Sequence, residues 1–342
     1  MGYFDDIRGN HDAKERIGRL IFSHTLPHAL MLEGPSGSGK TYFAKRIAAA
    51  LMCECKAEKR ENNLPCMNCK ACRHVLSEIA PDVHYLDRGD NASIGVKHIR
   101  DFRQEMRLSS VESEARVFII KDAHLMTLEA QNALLTILEE PPQGVYILLL
   151  CERREALLTT IRSRAQSVRM ELLSKEDLLA FAETQPPLQK LRQSKPDLFM
   201  EAILACGGCA GKFMQLANRE EMSTLEKQRK AVYKLLDTLA SGATYQSISD
   251  AIKGFSSKRK ELTEELALLL LAIRDLIVLE KAESPALLFY VDQTYATELS
   301  GLFGKRRLHR LYDTIYESRE SVQSNANVTL AQSTLVLALL SA

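Results

Sequence analysis

Residues 34–41 read Gly34-Pro35-Ser36-Gly37-Ser38-Gly39-Lys40-Thr41, a complete G-x-x-x-x-G-K-[ST] pattern. Each position has a physical task on a chain of phosphates. The glycines let backbone N–H groups curl around the anion, Lys40 reaches the outer phosphates, and Thr41 offers its hydroxyl to Mg²⁺. The pattern also dictates its surroundings. It must leave a strand and open a helix, so that the helix N-terminus points its partial positive charge at the ligand. The flanks comply: His28 to Glu33 is a short apolar strand candidate, and a helix candidate starts at Thr41. A nucleotide site, with ATP and Mg²⁺ as candidate ligands, is the first expectation.

The same alternation continues along the first half. Further strand candidates are 82–86, 116–120 and 145–150, each a short apolar run of the kind found in strands buried on both faces. Between them, 42–52, 95–106 and 127–140 carry helical spacing, and Ile7 to Phe22 does so ahead of the first strand. Pro141-Pro142 stops the helix over 127–140. Strand–helix alternation predicts an α/β fold with a parallel sheet covered by helices on both sides. After about Met170 the strand signal fades. Residues 171–220 read as a small helical unit with a proline-containing loop at 186–196 and a helix from Lys212 to Asn218. From 223 to 342 the pattern is leucine-rich and helical, with Leu262 to Lys281 as the longest helix and an apolar last helix from Leu330 to Leu340. Three domains are expected: 1–169, 170–222 and 223–342.

Five of the eight cysteines fall between 53 and 72: Cys53, Cys55, Cys66, Cys69 and Cys72. Without a secretory leader pattern at the N-terminus, a cytoplasmic chain is expected, where such clusters signal metal binding rather than disulfides. Cys66-x₂-Cys69-x₂-Cys72 has the spacing that lets thiolates converge on one tetrahedral Zn²⁺. The fourth ligand must come from upstream: Cys53 or Cys55, with His74 as a third candidate, and the polar stretch 56–64 as the loop that folds back. A site closed by four protein ligands is structural rather than catalytic. Cys151, Cys206 and Cys209 read as small buried apolar residues.

Bulk properties exclude other classes. No apolar run reaches membrane-spanning length, so no membrane partner is expected. The net charge of +1 over 342 residues makes the chain as a whole no attractor for nucleic acid. A local contact remains open: Lys97, Arg100, Arg103 and Arg107 recur at helical spacing and suit DNA phosphates as well as solvent.

Hydrolysis by a loop of this kind needs a second strand ending in an acidic residue that holds the Mg²⁺ shell. Here the strand ends Ile120-Lys121-Asp122-Ala123-His124. Lys121 occupies the metal-holding position, where its charge opposes the ion. Asp122 stands where a longer, water-activating Glu would be. Either Asp122 takes over the metal, or the site binds nucleotide without turning it over; the geometry of such sites favours the second.

Together with Phe4-Asp5-Asp6-Ile7-Arg8-Gly9-Asn10, Leu26-Pro27-His28-Ala29, the run Asn132 to Pro142, and Ile161-Arg162-Ser163-Arg164-Ala165, these features resemble the clamp-loader subunits of bacterial DNA polymerase III, which are AAA+ proteins. The resemblance covers about the first half of the chain. It implies that 1–169 is an AAA+ P-loop domain with a zinc module inserted at 53–72. It also implies that 170–222 is a helical lid and 223–342 an oligomerisation collar. The family's Ser-Arg-Cys motif carries an arginine finger that reaches into a neighbour's ATP site. Here it reads Ser163-Arg164-Ala165, which implies that role for Arg164. For zinc, the resemblance favours Cys53 with Cys66, Cys69 and Cys72, although the long spacer leaves Cys55 in play.

Two subunit types share this architecture. The gamma/tau motor type has an intact Asp-Glu pair, a Thr sensor after the fourth strand and a sensor arginine on the lid. This chain has Lys121-Asp122, Cys151 and Lys212 there, and it ends after the collar. The departures imply the delta-prime type, a poor or inactive ATPase. Its partners would be gamma/tau and delta subunits in a hetero-pentamer, with a sliding clamp and primer-template DNA reached through the complex. The alternatives are a gamma/tau-type motor, a small-molecule kinase built on the same loop, and a zinc-dependent nucleic-acid adaptor.

Overall fold

The computed structural model describes residues 3–55, 65–106, 115–242, 244–281, 285–324 and 326–341. Ala29–Glu33 (β1), Val83–Leu86 (β2), Arg116–Ile120 (β3), Val145–Cys151 (β4) and Gln166–Arg169 (β5) form one sheet in the order β2-β3-β4-β1-β5. All four pairings are parallel. The first four strands coincide with the apolar runs of the sequence. β5 does not, because Gln-Ser-Val-Arg buries only Val168 and has no apolar run; pairing with β1, from Leu30↔Gln166 to Glu33↔Arg169, makes it a strand.

Helices cover both faces: His11–Phe22 (α1), Lys40–Leu51 (α2), Lys70–Leu76 (α3), Val96–Met106 (α4), Leu128–Glu139 (α5) and Thr159–Arg164 (α6). Period-two alternation splits each central strand between two cores. Leu30, Leu32, Val117, Ile119 and Leu148 pack with Ile17 of α1 and Phe43 and Ile47 of α2. Met31, Phe118, Ile120, Ile147 and Leu149 pack with Ile99 and Phe102 of α4 and Leu134 and Ile137 of α5. Each such buried side chain contributes about 1.5–3 kcal/mol. The N-terminal segment is tied to α2. Phe4 meets Phe43 edge-on at 5.2 Å, and the Asp6 carboxylate accepts from Tyr42 Oη at 2.8 Å and Arg46 Nε at 2.5 Å.

This α/β part, Met1–Phe181 with Gly208–Gly211, is one of two units; the other is Ala182–Gly207 with Lys212–Ala342. Beyond β5 the described chain is helical: Lys175–Ala182 (α7), Pro186–Ser194 (α8), Pro196–Ala205 (α9), Ala210–Leu216 (α10), Arg219–Ala240 (α11), Tyr245–Ile252 (α12), Arg259–Leu279 (α13), Gln293–Phe303 (α14), Lys305–Gln323 (α15) and Val328–Ser341 (α16). The loop expected at 186–196 is helical instead. Pro186 and Pro196 occupy first-turn positions, where the missing N–H costs nothing and the fixed φ suits a helix. α11, at 22 residues, is longer than α13, at 21, which the sequence suggested as the longest.

The second unit has its own core, with Leu235, Leu266, Leu269, Ile273, Leu311 and Leu335 fully or nearly buried. Two buried charges hold it. Asp275 on α13 is fully buried and accepts from the Leu288 and Phe289 N–H groups at 2.8 and 2.7 Å. Arg229 on α11 pairs with Glu201 of α9 at 2.9 Å and donates to Phe289 O at 2.6 Å. The last helix is half buried: Leu335, Val336 and Leu339 point inward while Leu330 and Leu337 are exposed.

Candidate nucleotide and metal sites

β1, β3 and β4 deliver their C-terminal ends to one edge of the sheet, where open α/β sheets bind ligands. The loop 34–39 leaves β1 there and enters α2. Gly37 and Gly39 hold φ of 76° and 92°, conformations that penalise any side chain. Gly39 is the N-cap of α2 and supplies no side-chain cap, so the first helical N–H groups face the loop. Ser38 Oγ is buried and has no hydrogen-bond partner. Lys40 is also buried, and its amine donates to Gly34 O at 2.7 Å and Pro35 O at 2.8 Å. Burial lowers the Lys40 pKa, while Glu152 pulls it up. Orphan donors, an unsatisfied hydroxyl and a cation seated on loop carbonyls fit a phosphate group.

Gly211 belongs to this site, and no pattern in the sequence marked it. Its N–H donates to Gly37 O at 2.9 Å, and a Cβ there would stand 3.0 Å from Gly37 Cα.

The end of β3 is where a hydrolytic site would hold its metal. Lys121 turns toward the β2 edge, with Nζ 3.6 Å from Asp87 and 5.4 Å above the Tyr85 ring. That pairing occupies the lysine at the β2 edge. Asp122 sits in the left-handed region (φ 49°) and brings its carboxylate to His124 and Glu152, all ligand atoms lying within 4.8 Å of one another. The Glu152 N–H donates to His124 Nδ1 at 3.4 Å. Cys151, at the end of β4, is buried, and burial pushes its thiol up to about 11. It has neither the hydroxyl nor the charge to sense a γ-phosphate.

Arg164 ends α6. Its Nη2 lies 2.8 Å from Glu139 Oε1 at the end of α5, and Nη1 donates to Thr160 O at 3.2 Å. Gln131 of α5 fixes the approach to α6. Its amide donates to Met126 O and Ala156 O and accepts from the Leu158 N–H at 2.8 Å. Glu139 and Gln131 both sit in the sequence as ordinary helix residues; only their distant partners mark them.

Past the C-terminal end of α2, the thiols of Cys53, Cys66, Cys69 and Cys72 lie within 4.8 Å of one another and could hold a metal ion. Cys55 and His74 are outside this set. Amide-to-sulfur bonds organise it: Cys69 N–H donates to Cys66 Sγ and Cys72 N–H to Cys69 Sγ, each at 3.4 Å. Such bonds favour thiolates, the form that ligates metal. A hydrogen bond with Cys72 lowers the Cys53 pKa, and the same contact raises that of Cys72. The stretch 56–64, expected to fold back between these ligands, lies outside the described residues. Cys151, Cys206 and Cys209 are buried, as their isolation in the sequence suggested.

Lys97 and Arg100 are exposed on α4, with Arg103 half-buried; Arg107 lies outside the described residues. Among the described residues no helix is long and apolar enough to cross a membrane.

Residues 9–174 match the family model described as DNA polymerase III, delta subunit. The DNA polymerase III subunit delta' of Bacillus subtilis is 27% identical over 349 residues, covering 96% of this chain and 97% of that one. By these two likenesses the chain resembles the DNA polymerase III clamp-loader subunits, of the delta' type. A shorter match is to the DNA polymerase III subunit tau of B. subtilis, 29% identical over 60% of this chain, which spans 35% of that relative. Among solved structures, a DNA polymerase III gamma subunit-related protein of Thermotoga maritima aligns at a TM-score of 0.45 and 17% identity, over 96% of this chain and 98% of that one.

Proposed function

We propose that this delta'-type subunit works beside an ATP-hydrolysing neighbour, completing that neighbour's site with Arg164 while its own loop holds nucleotide without turning it over. The observation that carries this is a contrast inside one domain. Arg164 is positioned by Glu139 at 2.8 Å and left partly exposed at the domain surface, whereas the metal-holding position of the chain's own site is a lysine paired with Asp87. A guanidinium presented in this way stabilises charge developing on a transferring phosphoryl group. Partners are gamma/tau and delta subunits in a hetero-pentamer that opens a sliding clamp and closes it around primer-template DNA during replication. Lys97, Arg100 and Arg103 of α4 contact DNA phosphates in that assembly. The four-cysteine cluster holds structural Zn²⁺, and Lys40 with the loop's N–H groups holds the phosphates of ATP, with Mg²⁺ at Thr41.

The test is DNA-stimulated ATPase of the reconstituted complex. Arg164→Ala in this subunit is expected to lower it by about 10-fold or more. Unchanged turnover would remove the finger role. The alternative, a motor-type subunit, is favoured only by the close approach of Asp122, His124 and Glu152, which offers a displaced metal site. Brisk ATP turnover by the isolated chain would establish it.

A further inference from the structure

α15 opens with Lys305-Arg306-Arg307-Leu308-His309-Arg310, five basic residues in six positions of a chain whose net charge is +1. Lys305, Arg306, His309 and Arg310 are exposed and line one shallow concave surface. Arg307 lies 5.2 Å over the Phe303 ring. Among the described residues none of the five has a carboxylate within ion-pair distance, and the first acidic residue of the helix is Asp313.

Local physics opposes this arrangement. Cations in a helix's first turns face its positive dipole end, and like charges at i,i+4, as in Arg306 and Arg310, repel. A cluster that local energetics disfavours and that no carboxylate among the described residues pairs with suits an external polyanion. The same helix face then changes character. Lys305, His309, Tyr312 and Tyr316 follow at spacings of four, three and four, so they form one stripe, and the Tyr316 ring is 47% exposed. At 1.5 Å per residue the stripe runs about 16 Å, enough for roughly three nucleotides.

We infer that this exposed side of α15 binds single-stranded DNA, with phosphates on the basic surface that Lys305, Arg306 and Arg310 share and a base stacked on Tyr316 of the adjoining stripe. A basic surface followed on the same helix by an exposed aromatic combines the two elements of single-strand binding. An acidic protein surface needs the charges but not the ring. The choice of DNA rests on the proposed function.

The test is anisotropy of a labelled oligo-dT of about 20 nucleotides with the full chain, titrated between about 50 and about 200 mM salt. Combined Lys305→Gln, Arg306→Gln and Arg310→Gln is expected to weaken binding about 10-fold or more and to flatten the log–log salt slope by about 2. Tyr316→Ala is expected to weaken it about 5-fold or more with the slope unchanged. A Lys97→Gln/Arg100→Gln variant separates α4 from α15. Binding lost only in that variant overturns the inference, as does binding unaffected by all three. Equal affinity for poly-glutamate together with a silent Tyr316→Ala assigns the surface to an acidic partner instead. Tighter binding of an oligo-rU of the same length removes the assignment to DNA. Melting curves matching the parent chain establish that each variant is folded, and all of these residues are solvent-facing or partly so.

Discussion

One histidine and one aspartate, His84 and Asp275, each carry part of this molecule's stability. His84 on β2 stacks on Phe118 at 4.6 Å, with Nδ1 3.2 Å from Glu105 and Nε2 3.4 Å from Arg116. Burial lowers its pKa, with Glu105 opposing and Arg116 reinforcing the shift. Between the lowered folded value and the unfolded value of about 6.5, the unfolded chain binds the extra proton. The stability that His84 confers is therefore full above that window and is lost as pH falls through it. The melting temperature is expected to drop between about pH 7.5 and about pH 5.5, and His84→Phe is expected to flatten that part of the profile. Asp275 carries a larger share in the helical unit. Removing its carboxylate leaves the Leu288 and Phe289 N–H groups without their acceptor in a buried site, and also unpairs Arg274. Asp275→Ala is expected to destabilise that unit by about 3 kcal/mol, read as a lowered urea midpoint for its transition.

At the scale of elements, the cysteine module connects the end of α2 to α3, where Cys69 serves as N-cap. α3 has only seven residues, too few to stand as an isolated helix, so its order rests on the sulfur cluster and on Val75 packed in the core. One Zn²⁺ per chain is expected by elemental mass spectrometry, with Cys72→Ser losing it and Cys55→Ser retaining it. Retention by Cys72→Ser would place the metal elsewhere. Elements also mark where local patterns read correctly and where they did not. Buried parallel strands announce themselves through continuous apolar runs such as Val117–Ile120. β5 is polar on its outer side and becomes a strand only because β1 offers it a hydrogen-bonding edge. Prolines 186 and 196 suggested a loop because proline breaks helix interiors, yet it is well suited to the first turn of a new one.

For the molecule as a whole, the proposed division of labour lies between the glycine-rich loop and the apparatus around it. The loop 34–39 keeps its positive-φ glycines and Lys40 is buried behind it, but Lys121 pairs with Asp87 and Tyr85, and the buried thiol of Cys151 ends β4. The isolated chain is expected to bind an ATP analogue through Lys40 and to show negligible turnover. Lys40→Ala is expected to weaken binding by about 10-fold or more, since it removes the cation that meets the outer phosphates. Calorimetry and a phosphate-release assay read the two quantities separately.

By itself the sequence determined the phosphate loop, the parallel α/β pattern, the helical remainder and the cysteine spacing. Each of these is carried by short local runs of residues, so periodicity and motif are enough to read it. Only the tertiary structure decided that Cys53 rather than Cys55 joins the other three thiols, that Lys121 turns to the β2 edge, that Gly211 closes on Gly37, and that Glu139 and Gln131 set Arg164 in place. These depend on groups separated by many residues and brought together by packing on the sheet, and no local pattern carries the direction in which a side chain will find its partner.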